Sequence, residues 1–176
     1  MRDKSQFFSV DMIFAALIFI AILIAAYSYL EYSFEKINSA ETRDDLELIS
    51  RNAFSALLTT DGSPSNWSKI NAADFNESNV KSLGLAKSPG INNNLDSDKI
   101  DRLKELNATK YSTLKNILGV IGNYEFELSI SNWNGTAYKL NSKIGIAGNS
   151  TNVVNLNRYA SLNTTWLFIN FKTWER

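Results

Sequence analysis

The chain has 176 residues, with 18 Lys+Arg against 18 Asp+Glu and a formal net charge of zero. Nothing in that balance marks a nucleic-acid binder, whose electrostatic footprint is a basic excess. With no Cys and no His, the chain has no disulfide framework and no thiolate metal site, and it lacks both the commonest general base and the commonest metal ligand.

Arg2 and Lys4 open the chain, and an apolar run follows from Phe8 to Leu30 with Asp11 as its single charge. From Met12 to Leu30 there are about 19 uncharged residues, enough at ~1.5 Å per residue to cross the apolar core of a bilayer. Glu31 and Glu35 come close behind. Basic residues before the run and acidic ones after it place the N-terminus in the cytoplasm and the rest of the chain outside. Tyr27, Tyr29 and Tyr32 fall where the outer interface should be, as an aromatic belt. The run is too long for a removable secretory signal, and no A-x-A-like site follows it.

Asp11 admits two readings. A carboxylate near the bilayer centre costs about 2.5–3.5 kcal/mol, and less near the end of a span. The first reading is an interfacial acid in the first turn of a helix, held by the helix dipole and capped with Ser9. The second rests on the neighbours, Arg2-Asp3-Lys4-Ser5-Gln6-Phe7-Phe8-Ser9-Val10-Asp11, followed by the apolar run. This stretch resembles the N-terminus of type IV pilins and archaeal pilin-like proteins: a short basic leader, a small-residue or Gln cleavage region, and an acid at the fifth mature position. The resemblance implies cleavage between Gln6 and Phe7 by a prepilin peptidase. It also implies that Asp11 pairs with the freed amine of Phe7 on a neighbouring, like or related pilin-type subunit. Ser5 and Gln6 stand where many such leaders have Gly, Asp11 stands where Glu is commoner, and a mature chain beginning at Gln6 would make Asp11 sixth. An uncleaved signal anchor is the alternative.

No Gly or Pro occurs before Gly62, so nothing ends the helix at the membrane surface. Phe34, Ile37 and Ala40 make one apolar face, and Leu46, Ile49, Ala53 and Leu57 continue it beyond the polar Thr42–Asp45 break. The pattern predicts one helix from about Phe8 to Leu58, roughly 75 Å long. Thr59 to Pro64 ends it. Gly62-Ser63-Pro64-Ser65-Asn66-Trp67 reads as a turn followed by a buried Trp, and Val80 to Ala86 as a short strand. Leu95-Asp96-Ser97-Asp98 starts a helix capped by Asp96 or Ser97, with Ile100, Leu103 and Leu106 on its apolar side. Asp96, Asp98 and Asp101 do not make a calcium loop: Asp101 stands where Gly is needed and Asn107 where Glu is needed. A second helix is expected from Ala108 to Leu118, with Tyr111, Leu114 and Leu118 on one side and Gly119 and Gly122 ending it.

The period then changes to two. Tyr124, Phe126, Leu128 and Ile130 alternate with polar residues as a half-buried strand. Asn134-Gly135 is a hairpin signal, and Tyr138, Leu140 and Ile144 lie on the return strand. The glycines of Gly145 to Ser150 mark a turn and not a phosphate loop. A third strand spans about Asn152 to Ala160, Leu162-Asn163-Thr164 turns, and Trp166 to Trp174 is the last strand. That strand has Leu167, Ile169 and Phe171 on one face and Trp166, Phe168 and Trp174 on the other, so it is placed against the helix or a partner.

The expected fold is α+β: a long N-terminal helix on a roughly four-stranded antiparallel sheet, with two short helices between, which is the architecture the pilin resemblance implies. The expected organisation is a basic leader at 1–6, a transmembrane helix at 7–30, its extracytoplasmic continuation at 31–60 and a globular head at 61–176. Six Asn-x-Ser/Thr sequons occur, at Asn66, Asn76, Asn107, Asn134, Asn149 and Asn163. All lie on the expected outer side and are glycosylation candidates, Asn134 the weakest if its tight turn forms. No spacing of acids and no Ser–Lys pair argues for catalysis, so the expectation is a non-enzyme with no cofactor and no metal. The expected function is a pilin-like subunit of an archaeal cell-surface filament or pseudopilus, with membrane lipid and related subunits as partners. The alternative is a non-assembling anchored surface protein that binds envelope partners or glycans.

Overall fold

The computed structural model describes residues 4–88, 93–133, 138–148, 150 and 152–176. The elements in order are helix α1 (Lys4–Thr59), a 3-10 turn (Trp67–Lys69), helices α2 (Ser97–Thr109) and α3 (Tyr111–Ile117), and strands β1 (Tyr124–Trp133), β2 (Tyr138–Gly145), β3 (Val153–Leu162) and β4 (Thr165–Glu175). The chain divides into two compact units, Met1–Arg43 and Asp44–Arg176. The expected α+β class is the observed one, with the long N-terminal helix packed on a four-stranded antiparallel sheet and short helices between. The expected hairpin turn at Asn134-Gly135 lies outside the described residues.

The sheet order is β2-β1-β4-β3, every neighbour antiparallel. Period-two alternation puts Phe126, Leu128, Ile130, Leu167, Ile169 and Phe171 on one face, where all six are buried. The part of α1 within the second unit brings Leu46, Ala53, Phe54, Leu57 and Leu58 to the same core, and α2 brings Ile100, Leu103 and Leu106. A column of aromatic rings runs through it. Phe54 of α1 stacks on Phe171 of β4 at 5.4 Å and 6°, Phe171 on Phe126 of β1 at 5.7 Å, and Phe126 on Tyr111 of α3 at 5.7 Å. The Arg158 guanidinium of β3 covers the other side of Phe54 at 5.6 Å, a cation–π contact. Beside the column, the Ser50 hydroxyl donates to Leu46 O and meets the buried Thr173 hydroxyl, so this buried polar contact between α1 and β4 is satisfied.

The expected strand at Val80 to Ala86 does not form. The last carbonyls of a helix have no partner within it, and here this segment supplies one: Leu85 N–H donates to Leu57 O at 2.7 Å and Ala86 N–H to Thr60 O at 3.0 Å. The end of the segment therefore bonds the helix end, Val80, Lys81 and Ser82 donate to Asn76 O and Ser63 O, and only isolated bridges form, Ser63 with Ser82 and Ala86 with Leu95. Gly84 permits the approach, since a Cβ there would lie 2.1 Å from Thr60 O. Trp67, fully buried as expected, donates Nε1–H to Gly84 O at 3.0 Å and packs against Gly62 (φ +84). Lys99 reaches in from α2, is 5% exposed, and donates to Asp61 O at 2.8 Å and Ala86 O at 2.9 Å.

The remaining expectations meet the structure with small shifts. Asp96 caps α2, its side chain accepting from Asp98 N–H at 2.9 Å. The second helix is shorter than expected, because α2 runs on to Thr109 and Lys110 joins the two. Leu140 is exposed on β2, where the register with β1 slips between Ile130 and Ser131. A bulge of this kind shifts a strand's facing by one residue.

Phe54 is 1% exposed between a ring and a guanidinium. Phe54→Ala should destabilise the protein by about 3–5 kcal/mol, read as a shift of the urea midpoint of the full chain in detergent. Gly84→Ala should cost about 1–3 kcal/mol through overpacking at the helix end.

Candidate functional site: the apolar helix and its acid

The first unit is built around the apolar run. Its side chains from Val10 to Leu30 are exposed on every side of α1, and no part of the most apolar stretch is buried. A helix apolar all round needs an apolar surrounding. Apolar surface left in water costs roughly 25 cal/mol per Å², and the run's length matches a bilayer core of about 30 Å. Among the described residues there is thus one helix, near the N-terminus, long and apolar enough to span a membrane. Tyr27, Tyr29 and Tyr32 are all exposed; at 100° per residue Tyr29 and Tyr32 share one side of the helix and Tyr27 lies on the other. The Lys36 ammonium sits 5.9 Å from the Tyr32 ring centre, where its stem can lie along the apolar surface with the charge turned to water.

Asp11 is exposed and lies two turns beyond Lys4, the first described residue of α1. The first turn carries no acid, and Ser9 is inside the helix and not at its cap. The dipole acts within the first turn, so in the intact chain it does little for Asp11. Removal of residues 1–6 would make Phe7 the first residue and Asp11 the fifth, just past the first turn of about 3.6 residues. Gln6 and Phe7, the expected processing positions, lie in the first turn of α1, their side chains outside the described ones.

The sequons of the second unit differ in how their asparagines are used. Asn66 is exposed beside the 3-10 turn with no side-chain capping bond. Asn76 accepts from Ser78 N–H and Asn79 N–H and donates to Asp74 O. Asn107 is half-buried in α2 and accepts from Gly145 N–H at 2.8 Å, which ties α2 to the end of β2. Asn163 is exposed at the two-residue β3–β4 turn with φ +56. Asn134 and Asn149 lie outside the described residues.

Three charged groups in this unit look solvated in the sequence and are buried in the structure: Lys99, Glu125 and Glu127, the last paired with Lys143 at 2.8 Å. Lys99 sat in a helical pattern whose charge suggested solvent; its burial lowers the ammonium below the usual lysine value, opposed by Asp61 and Asp96. Glu125 is 7% exposed on the outer face of β1, bonded by the Tyr111 hydroxyl and by Lys115 at 3.3 Å, with Arg176 at 3.9 Å. Alternation assigned Glu125 to solvent, and only the packing of α3 and the chain end over it encloses it. An open groove of about 420 Å³ adjoins it, floored by Trp174 and lined by Ile146, Gly148 and Glu175. Among the described residues no three acids converge as metal ligands.

No protein-family model, no curated protein and no solved structure matches this chain.

Burial raises the Tyr111 phenol above its ordinary value, and the hydrogen bond to Glu125 and that carboxylate's charge add to the rise. The folded state therefore holds this proton at a pH where the unfolded chain loses it. The resulting stability is complete below about pH 10, the ordinary tyrosine value, and falls as pH rises beyond it. Tyr111→Phe should cost about 1–3 kcal/mol at neutral pH by leaving Glu125 short of a donor. It should also flatten the loss of stability above about pH 10. Urea titrations of parent and variant across pH 7–11 check both, and Lys99, which titrates with the opposite sign, cancels in the comparison.

Proposed function

We propose that this chain is a pilin-like subunit of an archaeal cell-surface filament or pseudopilus, anchored and assembled through its N-terminal apolar helix. The observation that carries the reading is the unbroken α1: its first part is apolar all round, its last part is core to a folded domain, and one acid stands at the edge of the apolar run. Basic residues before the run and acidic ones after it favour an inside N-terminus and an outside C-terminal domain. A subunit of this kind sits in the membrane until its leader is cut by a prepilin peptidase, then packs its apolar helix among like helices.

In that packing Asp11 has a definite task. Among apolar helices an unpaired carboxylate is costly, and a cationic partner is required. The new amine of Phe7 on a neighbouring subunit is such a partner. Asp11 would then act as a register mark, admitting only the axial offset that brings charge to charge. The departures at Ser5 and Gln6 favour the second reading, a permanent anchor that carries its domain as a lone surface module.

Asp11→Ala separates the two. Removing one partner of a buried pair costs about 3–5 kcal/mol, and each 1.4 kcal/mol is about tenfold in an equilibrium. The variant should insert into membranes as the parent does, while its yield in sheared high-mass particles falls at least about tenfold. Equal assembly of parent and variant would remove the role given to Asp11, and absence of high-mass particles from the parent would favour the lone anchor.

A further inference from the structure

The sheet has a second face, opposite the core, and one end of it is aromatic. Tyr159 of β3 lies opposite Phe168 of β4 with ring centres 5.5 Å apart, so both rings share this face. Trp166 is two residues from Phe168 on β4, and Trp133 is two residues from Ser131, which pairs with Phe168. Alternation therefore puts Trp133, Tyr159, Trp166 and Phe168 together across three strands. Trp133 is 47% exposed, Tyr159 55% and Trp166 64%. Further along the same face Asn170 donates to Asn157 at 2.6 Å and to Asn155, a row of amides with no net charge. Rings beside neutral amides suit a sugar: its apolar C–H face lies on a ring, and its hydroxyls bond amides.

The occupant is tied to the same hairpin. Asn163-Thr164-Thr165 is a sequon at the β3–β4 turn, and residues 163–166 are all exposed; the turn is a tight two-residue one, like that expected at Asn134, so transfer to Asn163 must come before the hairpin closes. Asn163 and Trp166 are three residues apart, so their Cα atoms are within about 11 Å. The other described sequons are less suited. Asn76 and Asn107 already use their side-chain amides in holding local structure, and Asn66 precedes a fully buried Trp67. Resting on an outside C-terminal domain, we infer that Asn163 carries an N-linked glycan whose first sugars lie over Trp166 and Tyr159. The chemistry is a glycosyl transfer from a lipid-phosphate-linked oligosaccharide. A bond forms between the Asn163 side-chain nitrogen and the anomeric carbon. The bond from that carbon to the phosphate oxygen breaks, the amide loses one proton, and the lipid phosphate leaves. The glycan would cover an aromatic patch that otherwise invites association at this edge of the sheet.

The test uses full-length protein from native membranes, as parent, Thr165→Ala and Thr165→Ser. Glycopeptide mass spectrometry reads Asn163 and Asn66. Hydroxyl-radical footprinting in detergent reads Trp166 and Tyr159, and external protease on intact cells reads the side on which the domain lies. The proposal expects Asn163 modified in the parent and in Thr165→Ser, unmodified in Thr165→Ala, with footprinting of Trp166 rising several-fold only in Thr165→Ala. An unmodified Asn163 on a protease-accessible domain overturns the glycan and leaves the anchored reading standing. A domain sheltered from external protease overturns both. A modified Asn163 with unchanged footprinting in Thr165→Ala overturns the cover, and if that variant sediments as a dimer, a second copy is the true occupant.

Discussion

The stack of Phe54, Phe171, Phe126 and Tyr111 is the interaction on which the second unit depends. It passes through α1, β4, β1 and α3, elements that are far apart in sequence, and gives each a ring from another. Aromatic pairs at these separations contribute about 0.5–1.5 kcal/mol each beyond the area they bury. More important is what they specify. A one-residue slip of β4 would turn Phe171 to the outer face and replace it with Asn170 or Lys172, and no stack could form. The column thus sets the register of the central strand pair and the rotation of α1 about its axis together. The polar ends of the column are closed too, by Arg158 over Phe54 and by the Glu125 carboxylate at the Tyr111 hydroxyl.

The second constraint is the end of α1. A long helix entering a folded domain must stop there with its carbonyls satisfied. Leu85 and Ala86 donate to two of them, Gly84 gives the room, Trp67 bonds Gly84 O, and the Lys99 ammonium bridges Asp61 O and Ala86 O. This arrangement is made of backbone groups and one buried lysine. It anchors α1 to the domain by hydrogen bonds, while the stack anchors it by packing.

Periodicity carried most of this fold. The four strands, both short helices and the long α1 were readable because apolar residues recur at two or near 3.6, and because Asp96, Gly62, Gly119 and Asn163 mark ends and turns. Interactions with no sequence period were not readable. Val80 to Ala86 looks like a strand from its apolar content, yet the N–H groups of Leu85 and Ala86 go to a helix end and those of Val80 to Ser82 to nearby turns. Leu140 obeys the alternation of β2, but the slip at Ile130/Ser131 turns it outward. Glu125 and Lys99 look solvated, and their burial comes from elements packed over them. The aromatic patch was half visible, in Trp166 and Phe168. Trp133 and Tyr159 join it only through the strand order β2-β1-β4-β3. Of the candidate site, the apolar run and Asp11 were fully legible, being local features of composition. The position of Asp11 in the helix was not, since it depends on where the helix begins.

That position links chemistry to processing. In the intact chain Asp11 lies two turns beyond Lys4 and beside an apolar run, where the helix dipole does little for it and a carboxylate is costly. Cleavage after Gln6 would make it the fifth residue, next to the first turn, and create an amine that a like subunit's Asp11 could pair with. The mature N-terminus, read by mass spectrometry on protein from native membranes, tests this most directly. The account predicts a chain that starts at Phe7. A chain that keeps Met1 would contradict it, and the helix would then be a permanent anchor with Asp11 as an acid at the membrane surface.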